Sequence, residues 1–247
     1  VGLLFGEGIC HPLVSTCKFC LHDIGNASEL IPSISHHQQS GGWDKLTGGQ
    51  CSHAWSIMVG CREQYTIRKN PRTGKYGCFA KYNPHEGRWS KHYNSPHDNM
   101  SDMWQVPWPK IGGGGGARDL ELAEDQVFEK MLAYDKQDYI VAAGTNGTSD
   151  KNMTDGMVDN HAYSVIEAHS FGKIKLFKVR NPWGKGEIEN GEFDDDGPGW
   201  GRHPNIKAAL KPVAVDDGIF YLTQKEFFRL FDHIYVSARS MSKFLED

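Results

Sequence analysis

The sequence predicts an α+β domain built on an antiparallel sheet or barrel with a few helices. Three observations lead there. Two strand-like runs, 161–168 and 173–180, are separated by the short segment His169-Ser170-Phe171-Gly172, which is the pattern of a hairpin. A second pair, 63–68 and 75–82, flanks the turn-forming Lys69-Asn70-Pro71-Arg72-Thr73-Gly74. Between the two pairs lies a single helix with helical apolar spacing, roughly Glu121 to Tyr134, in which Ala123, Val127, Met131 and Tyr134 share a face beside Phe128 and Leu132.

In chain order, residues 1–40 differ from the rest. They are rich in His, Ser and Cys and end in the polar Ser35-His36-His37-Gln38-Gln39-Ser40, so they are expected to be a divergent, disordered leader. The run His53-Ala54-Trp55-Ser56-Ile57-Met58-Val59 fits either a helix or a buried strand. Trp104 to Pro109 and the five glycines 112–116 are expected to be an irregular surface segment, with no Gly-Lys-Ser/Thr after the glycines to make a phosphate cradle. Tyr139-Ile140-Val141-Ala142-Ala143 is a core strand, and the Gly, Asn, Thr and Asp-rich stretch 144–157 a mobile loop. Thr223 to Glu226 has the spacing of a capping box for a short helix through Phe231, and 233–238 is a last strand.

Length and charge bound the class. At 247 residues the chain is long enough to bury a core in one domain or two small ones. Lys and Arg total 27 against 31 Asp and Glu, a net charge of −4, which carries no footprint of nucleic-acid binding. No apolar run approaches the roughly 18 residues of a membrane span. The opening Val1-Gly2-Leu3-Leu4-Phe5-Gly6 lacks the basic flank of a signal peptide. The six cysteines, Cys10, Cys17, Cys20, Cys51, Cys61 and Cys78, are therefore expected as free thiols in the cytoplasm. Cys17-x-x-Cys20 with Cys10, His11 and His22 has the form of half a zinc site, but a second well-spaced pair is missing.

The hairpin carries the chemistry. With Ala168 set opposite Lys173, His161 falls opposite Arg180, and Asn181 lies one step beyond. Opposed residues have Cβ atoms about 4.5–5.5 Å apart. A histidine held by an asparagine is two-thirds of a Cys-His-Asn set, in which the imidazole activates a thiol and the amide fixes its tautomer. Pro182 and Gly184 shape the turn after Asn181, and Trp183 is placed to cover an Asn–His hydrogen bond from water, where such a bond is stronger.

Those segments, Asn160-His161-Ala162-Tyr163-Ser164 and Arg180-Asn181-Pro182-Trp183-Gly184, resemble the second half of the calpain protease core, a family of calcium-dependent, papain-like cysteine endopeptidases. The likeness continues in order through Gly41-Gly42-Trp43-Asp44-Lys45-Leu46-Thr47-Gly48-Gly49, Phe193 to Trp200, Asp216 to Leu222 and Glu226-Phe227-Phe228. It implies that residues 41–240 form the second lobe of that core, with a 241–247 tail, and that the chain is a fragment whose first lobe is supplied in cis by the full-length protein. It implies a polypeptide substrate, with His161 as base and acid, Asn181 as its orienting partner and Trp183 as cover.

The family's nucleophile motif, of the Gly-x-Cys-Trp type, is absent, so no nucleophile is evident and the isolated chain is expected to be inactive. Cys51, in Gly49-Gln50-Cys51-Ser52-His53, is the substitute to consider. It lacks the following Trp and falls inside the second-lobe stretch, so a structural role is the default. The resemblance further implies calcium ligands at Glu187, Asp195 and Asp217 and the carbonyl of Val215. Ile219 stands where the family often has another Glu, with Asp194, Asp196 and Asp216 as stand-ins. Oxygen-only ligation suits this cation. A non-catalytic binding or scaffold module on the same lobe is the alternative from a different class.

Overall fold

The computed structural model describes residues 51, 52, 55, 63–83, 87–90, 103–109, 120–147 and 149–241. The leader, the segment 41–49, Cys61, the Cys10/Cys17/Cys20 cluster and the glycines 112–116 lie outside them. So does the 242–247 part of the tail.

In chain order the strands are β1 (Gln64–Lys69), β2 (Tyr76–Ala80), β3 (Tyr82–Asn83), β4 (Arg88–Trp89), β5 (Trp104–Gln105) and β6 (Glu121–Leu122). Helix α1 (Glu124–Lys136) follows, then β7 (Ile140–Thr145), β8 (Met153–Thr154), β9 (Met157–Val158), β10 (Ala162–Phe171) and β11 (Ile174–Arg180). Two short helices, α2 (Pro198–Arg202) and α3 (Pro204–Leu210), precede β12 (Ile219–Thr223), α4 (Gln224–Leu230) and β13 (Phe231–Ser237). The main sheet runs β12-β11-β10-β7-β13-β1-β2-β5, with β6 also on β2, and the pairings are antiparallel. Among the described residues its ends, β12 and β5, do not pair, so the sheet is open and the barrel closure that sequence allowed is not made.

The core explains the order. Apolar residues of α1 (Val127, Phe128, Met131, Tyr134) are buried against Ile67 and Cys78 of the first hairpin and Phe177 and Phe227 of the second half, in one continuous cluster. Phe128 meets Phe177 edge-on at 5.1 Å, and Phe177 lies 4.0 Å from Phe227. Helix α1 starts three residues later than expected because Glu121–Leu122 pair with β2; Gln126 Oε1 then accepts the Ala123 N–H at its first turn. The α4 capping box forms as the spacing predicts: Thr223 Oγ1 accepts from Glu226 N and Glu226 Oε2 accepts from Thr223 N.

The register of the β10–β11 hairpin differs from expectation. The turn is the two-residue Gly172-Lys173, so Phe171 faces Ile174 and Ala168 faces Phe177 rather than Lys173. Gly172 has φ +68°, a left-handed first turn position of the kind that matches strand twist in two-residue hairpins, so His169 to Phe171 stay in the strand. A bulge between Val165 and Glu167 then leaves Ser164, not His161, opposite Arg180. The segment 144–157 also holds more structure than a loop: β8 and β9 form a small hairpin. Trp104–Gln105, expected to be irregular, adds an edge strand to β2.

Candidate active site

His161 and Asn181 meet at the end of the sheet despite the shifted register. His161 sits one residue before β10 and Asn181 one after β11. The chain folds back at Asn181-Pro182-Trp183-Gly184, where Gly184 N donates to Asn181 O at 3.0 Å and Gly184 takes φ +68°. This turn holds the Asn181 side chain against the imidazole: His161 Nε2 lies 3.0 Å from Asn181 Oδ1. Both groups are buried, His161 at 6 % exposure and Asn181 at 0 %.

The surrounding bonds decide which proton is where. Asn181 Nδ2 donates to Lys185 O at 2.8 Å and to Gly186 O at 3.1 Å, so both amide hydrogens are spent on carbonyls. Oδ1 therefore faces the imidazole, and it also accepts the Trp183 N–H at 3.1 Å. Oδ1 can only accept, so His161 Nε2 carries the hydrogen and donates it. The neutral ring then keeps its lone pair on Nδ1, the atom free to take a proton from a nucleophile. Trp183 packs over the imidazole with ring centroids 4.6 Å apart while staying 41 % exposed, and Tyr163 meets the imidazole edge-on at 5.2 Å.

Burial holds the His161 imidazole below the ordinary histidine range, with the Asn181 hydrogen bond and the charge of Asp150 opposing but not reversing it. An unfolded histidine titrates near 6.5. The unfolded chain therefore binds the proton first as pH falls, so the contribution of neutral His161 to stability is full above about 6.5 and is lost as pH drops from there through the folded value. Urea melts between pH 7.5 and 5 are expected to show this loss in the parent, with the His161→Asn variant showing a shallower slope; parallel slopes would contradict it.

The β8–β9 hairpin packs against the segment after Asn181. Gly156, between β8 and β9, has φ +80°, and a Cβ there would meet Glu187 O at 2.4 Å and Glu189 N at 2.7 Å. Asp155 O accepts from Glu189 N, and the Asp155 carboxylate pairs with Arg229 of α4. This backbone contact ties the β8–β9 hairpin to the segment after Asn181. Gly156→Ala is expected to cost about 2 kcal/mol in chemical denaturation, from left-handed strain plus the clash.

A family model described as "Calpain family cysteine protease" matches residues 89–238, more than half of the chain. The chain belongs to the calpain family. It is 32 % identical over 135 residues to the calpain-type cysteine protease DEK1 of Arabidopsis thaliana, covering 51 % of this chain and 6 % of that protein. Calpain-A of Drosophila melanogaster is 30 % identical over 150 residues, 55 % of this chain and 18 % of the relative. Human calpain-9 is 36 % identical over 97 residues, 37 % of this chain and 14 % of the relative. The matched segments thus span less than a fifth of each of these calpains. Strands β1 and β2 lie before the matched segment and extend the sheet beyond β13.

Cys51 is helical and 1 % exposed, packed in a separate apolar cluster with Trp55, Ile140, Ala142, Tyr235 and Met241. Cys78 is fully buried in the main core, and burial pushes its thiol far above the ordinary range. The acidic residues draw near one another without forming a cage. Burial, then the neighbouring Asp195, Asp217 and Asp216, push the Glu187 carboxyl up to about 7, against the Gly218 N–H it accepts at 3.1 Å. Asp216 and Asp217 accept from Gly186 N and Ile219 N. Val215 is half exposed in the same loop. The donors suit calcium in kind. Among the described residues, however, no group of three or more His, Cys, Asp or Glu side chains is arranged to hold a metal ion.

Sequence reasoning missed Thr145. Its hydroxyl accepts the His161 N–H at 3.1 Å and donates to Val158 O at 2.7 Å. Only the apolar strand pattern at 139–143 pointed near it.

Proposed function

We propose that this chain is the second lobe, residues 41–240, of a calpain-type cysteine endopeptidase, and that it supplies the base and its orienting amide to a thiol carried elsewhere in the intact protein. The observation that carries this reading is the buried His161 Nε2–H···Oδ1 Asn181 bond, with the amide locked by two carbonyls.

In the reaction, His161 Nδ1 takes the proton of the thiol, and the thiolate sulfur bonds to the scissile carbonyl carbon. The C–N bond then breaks as the imidazolium returns that proton to the leaving amine. Water, deprotonated by Nδ1, attacks the thioester carbonyl; the C–S bond breaks and the thiolate leaves, recovering the proton from the imidazolium. Asn181 holds the ring through these proton transfers, and the indole of Trp183 keeps water from the Asn–His bond. The substrate is a cytosolic polypeptide bound in extended form.

A thiol-reactive peptide probe tests the assignment. The intact protein is expected to be labelled at a cysteine outside this chain, with labelling lost in His161→Ala. Labelling of this chain alone at Cys51, abolished by His161→Ala, would overturn the assignment of the nucleophile. Labelling of the intact protein that ignores His161 would favour a scaffold module over a protease.

Calcium belongs to the same reading as a regulator outside the proton transfers. Glu187, Asp195, Asp217 and the Val215 carbonyl are the ligands that the family resemblance assigns to it. The support is the mutual repulsion of these carboxylates, which a divalent cation relieves. Calcium, and not magnesium, is expected to raise the melting temperature, and Glu187→Gln to reduce the rise. An unchanged melting temperature in calcium would remove the ligand assignment.

A further inference from the structure

We propose that Thr145 is a positioning residue for His161: its hydroxyl, at the end of β7, sets the backbone from which the imidazole reaches Asn181. The inference rests on the reading of His161 as the base.

The β7–β10 ladder pairs Ser164 with Ala142, Tyr163 with Ala143 and Ala162 with Gly144, so the next step sets His161 beside Thr145. Thr145 N donates to His161 O at 3.0 Å, as the ladder requires. The reciprocal bond departs from the pattern. His161 N donates to the Thr145 hydroxyl oxygen at 3.1 Å instead of to a backbone carbonyl. The cause is Asn160, whose φ of +47° turns the chain out of the strand just before His161, while Asn160 N donates to Asn146 O. The hydroxyl hydrogen is directed to Val158 O at 2.7 Å, with His161 O a longer alternative at 3.2 Å. Val158 is fixed in turn, since its N–H donates to the buried Tyr163 hydroxyl at 2.8 Å.

One hydroxyl thus joins three backbone segments: the end of β7, the end of β9 and the residue that bears the base. Thr145 is itself buried, at 9 % exposure. A hydroxyl both accepts and donates, which this junction requires and an alkyl group cannot do. Without it the His161 N–H and the Val158 carbonyl lose their partners in a buried place, and the segment moves to recover them. The imidazole is carried on that segment, so its distance to Asn181 changes even though Thr145 does not touch the ring.

The test compares Thr145→Ser with Thr145→Ala, which share the loss of the methyl and differ in the hydroxyl. In long-range 1H–15N spectra of this chain, Thr145→Ser is expected to retain a single Nε2–H tautomer for His161, and Thr145→Ala to show averaged tautomers. In the intact protein kcat is expected to fall about tenfold to a hundredfold in Thr145→Ala, with KM changed less than about twofold, and to be rescued by Thr145→Ser. A lower melting temperature in Thr145→Ala with the parent's tautomer and kcat would reduce Thr145 to a structural role and overturn the proposal. Where Thr145→Ala does not fold, the isosteric Thr145→Val is scored against Thr145→Ser by the same criteria; if neither folds, Thr145 is structural and the proposal fails. Averaged tautomers already in the parent chain would count against the catalytic reading of His161 itself, separately from Thr145.

Discussion

Replacing His161 with alanine in the intact protein is expected to lower kcat for peptide cleavage by about a thousandfold while changing KM by less than about threefold. The size follows from what the imidazole does. General acid–base transfer contributes roughly a hundredfold to ten-thousandfold, and in the proposed reaction one group serves both the attack and the departure of the amine. The small change in KM follows from position: the ring is 6 % exposed and offers little surface to a substrate. The main-chain bonds of His161 to Thr145 survive the substitution, so the segment stays in place. A variant that keeps a tenth or more of the parent kcat would show that the proton transfers run through another group.

Asn181→Ala is expected to be the most destabilising substitution at the site, by about 3–5 kcal/mol. Its amide makes four contacts: to His161 Nε2, Trp183 N, Lys185 O and Gly186 O. Alanine leaves the last three main-chain groups without that partner in a place where Asn181 is wholly buried. Each buried group left unpaired costs about 1–3 kcal/mol, reduced where water enters the space. For a chain of this size the melting temperature is expected to drop by roughly 6–20 °C. In the intact protein kcat falls as well, because the ring loses the acceptor that selects its tautomer. A change in stability below about 0.5 kcal/mol would mean that the amide does not make these bonds.

Much of this site was legible in the sequence, and for a physical reason. Strand alternation and a short Gly-ended break identify a hairpin whatever its exact register, and a hairpin brings its ends together. Asn181-Pro182-Trp183-Gly184 then encodes its own turn. The capping box at Thr223 and Glu226 was legible for the same reason, because its partners are three residues apart. The two helices after Asp196 carry a similar local signal, Pro198 and Pro204 at their first turns, that sequence reading passed over.

What stayed hidden depends on long-range partners. The register turned on whether His169 to Phe171 belong to the loop or to the strand, and the left-handed Gly172 settles that in favour of the strand. Two-residue strands such as β8 and β9 are too short to show periodicity, and they form because Gly156 lets the backbone reach Glu187 and Glu189. Thr145 was out of reach because its hydroxyl matters only once Asn160 has turned the chain and Val158 has come alongside. The acidic residues were legible as composition, while their arrangement rests on the loop 215–218, which closes on Asn181 through the Asn181 N–H to Gly218 O bond.

Asn181 holds His161 with its hydrogen on Nε2 and its lone pair on Nδ1. Long-range 1H–15N correlation of the His161 imidazole in this chain, at pH 7.5, reads that directly. The structure predicts one protonated nitrogen, Nε2, its proton protected from exchange, and one pyridine-like nitrogen, Nδ1. A proton on Nδ1, or rapid averaging between the two, would contradict it.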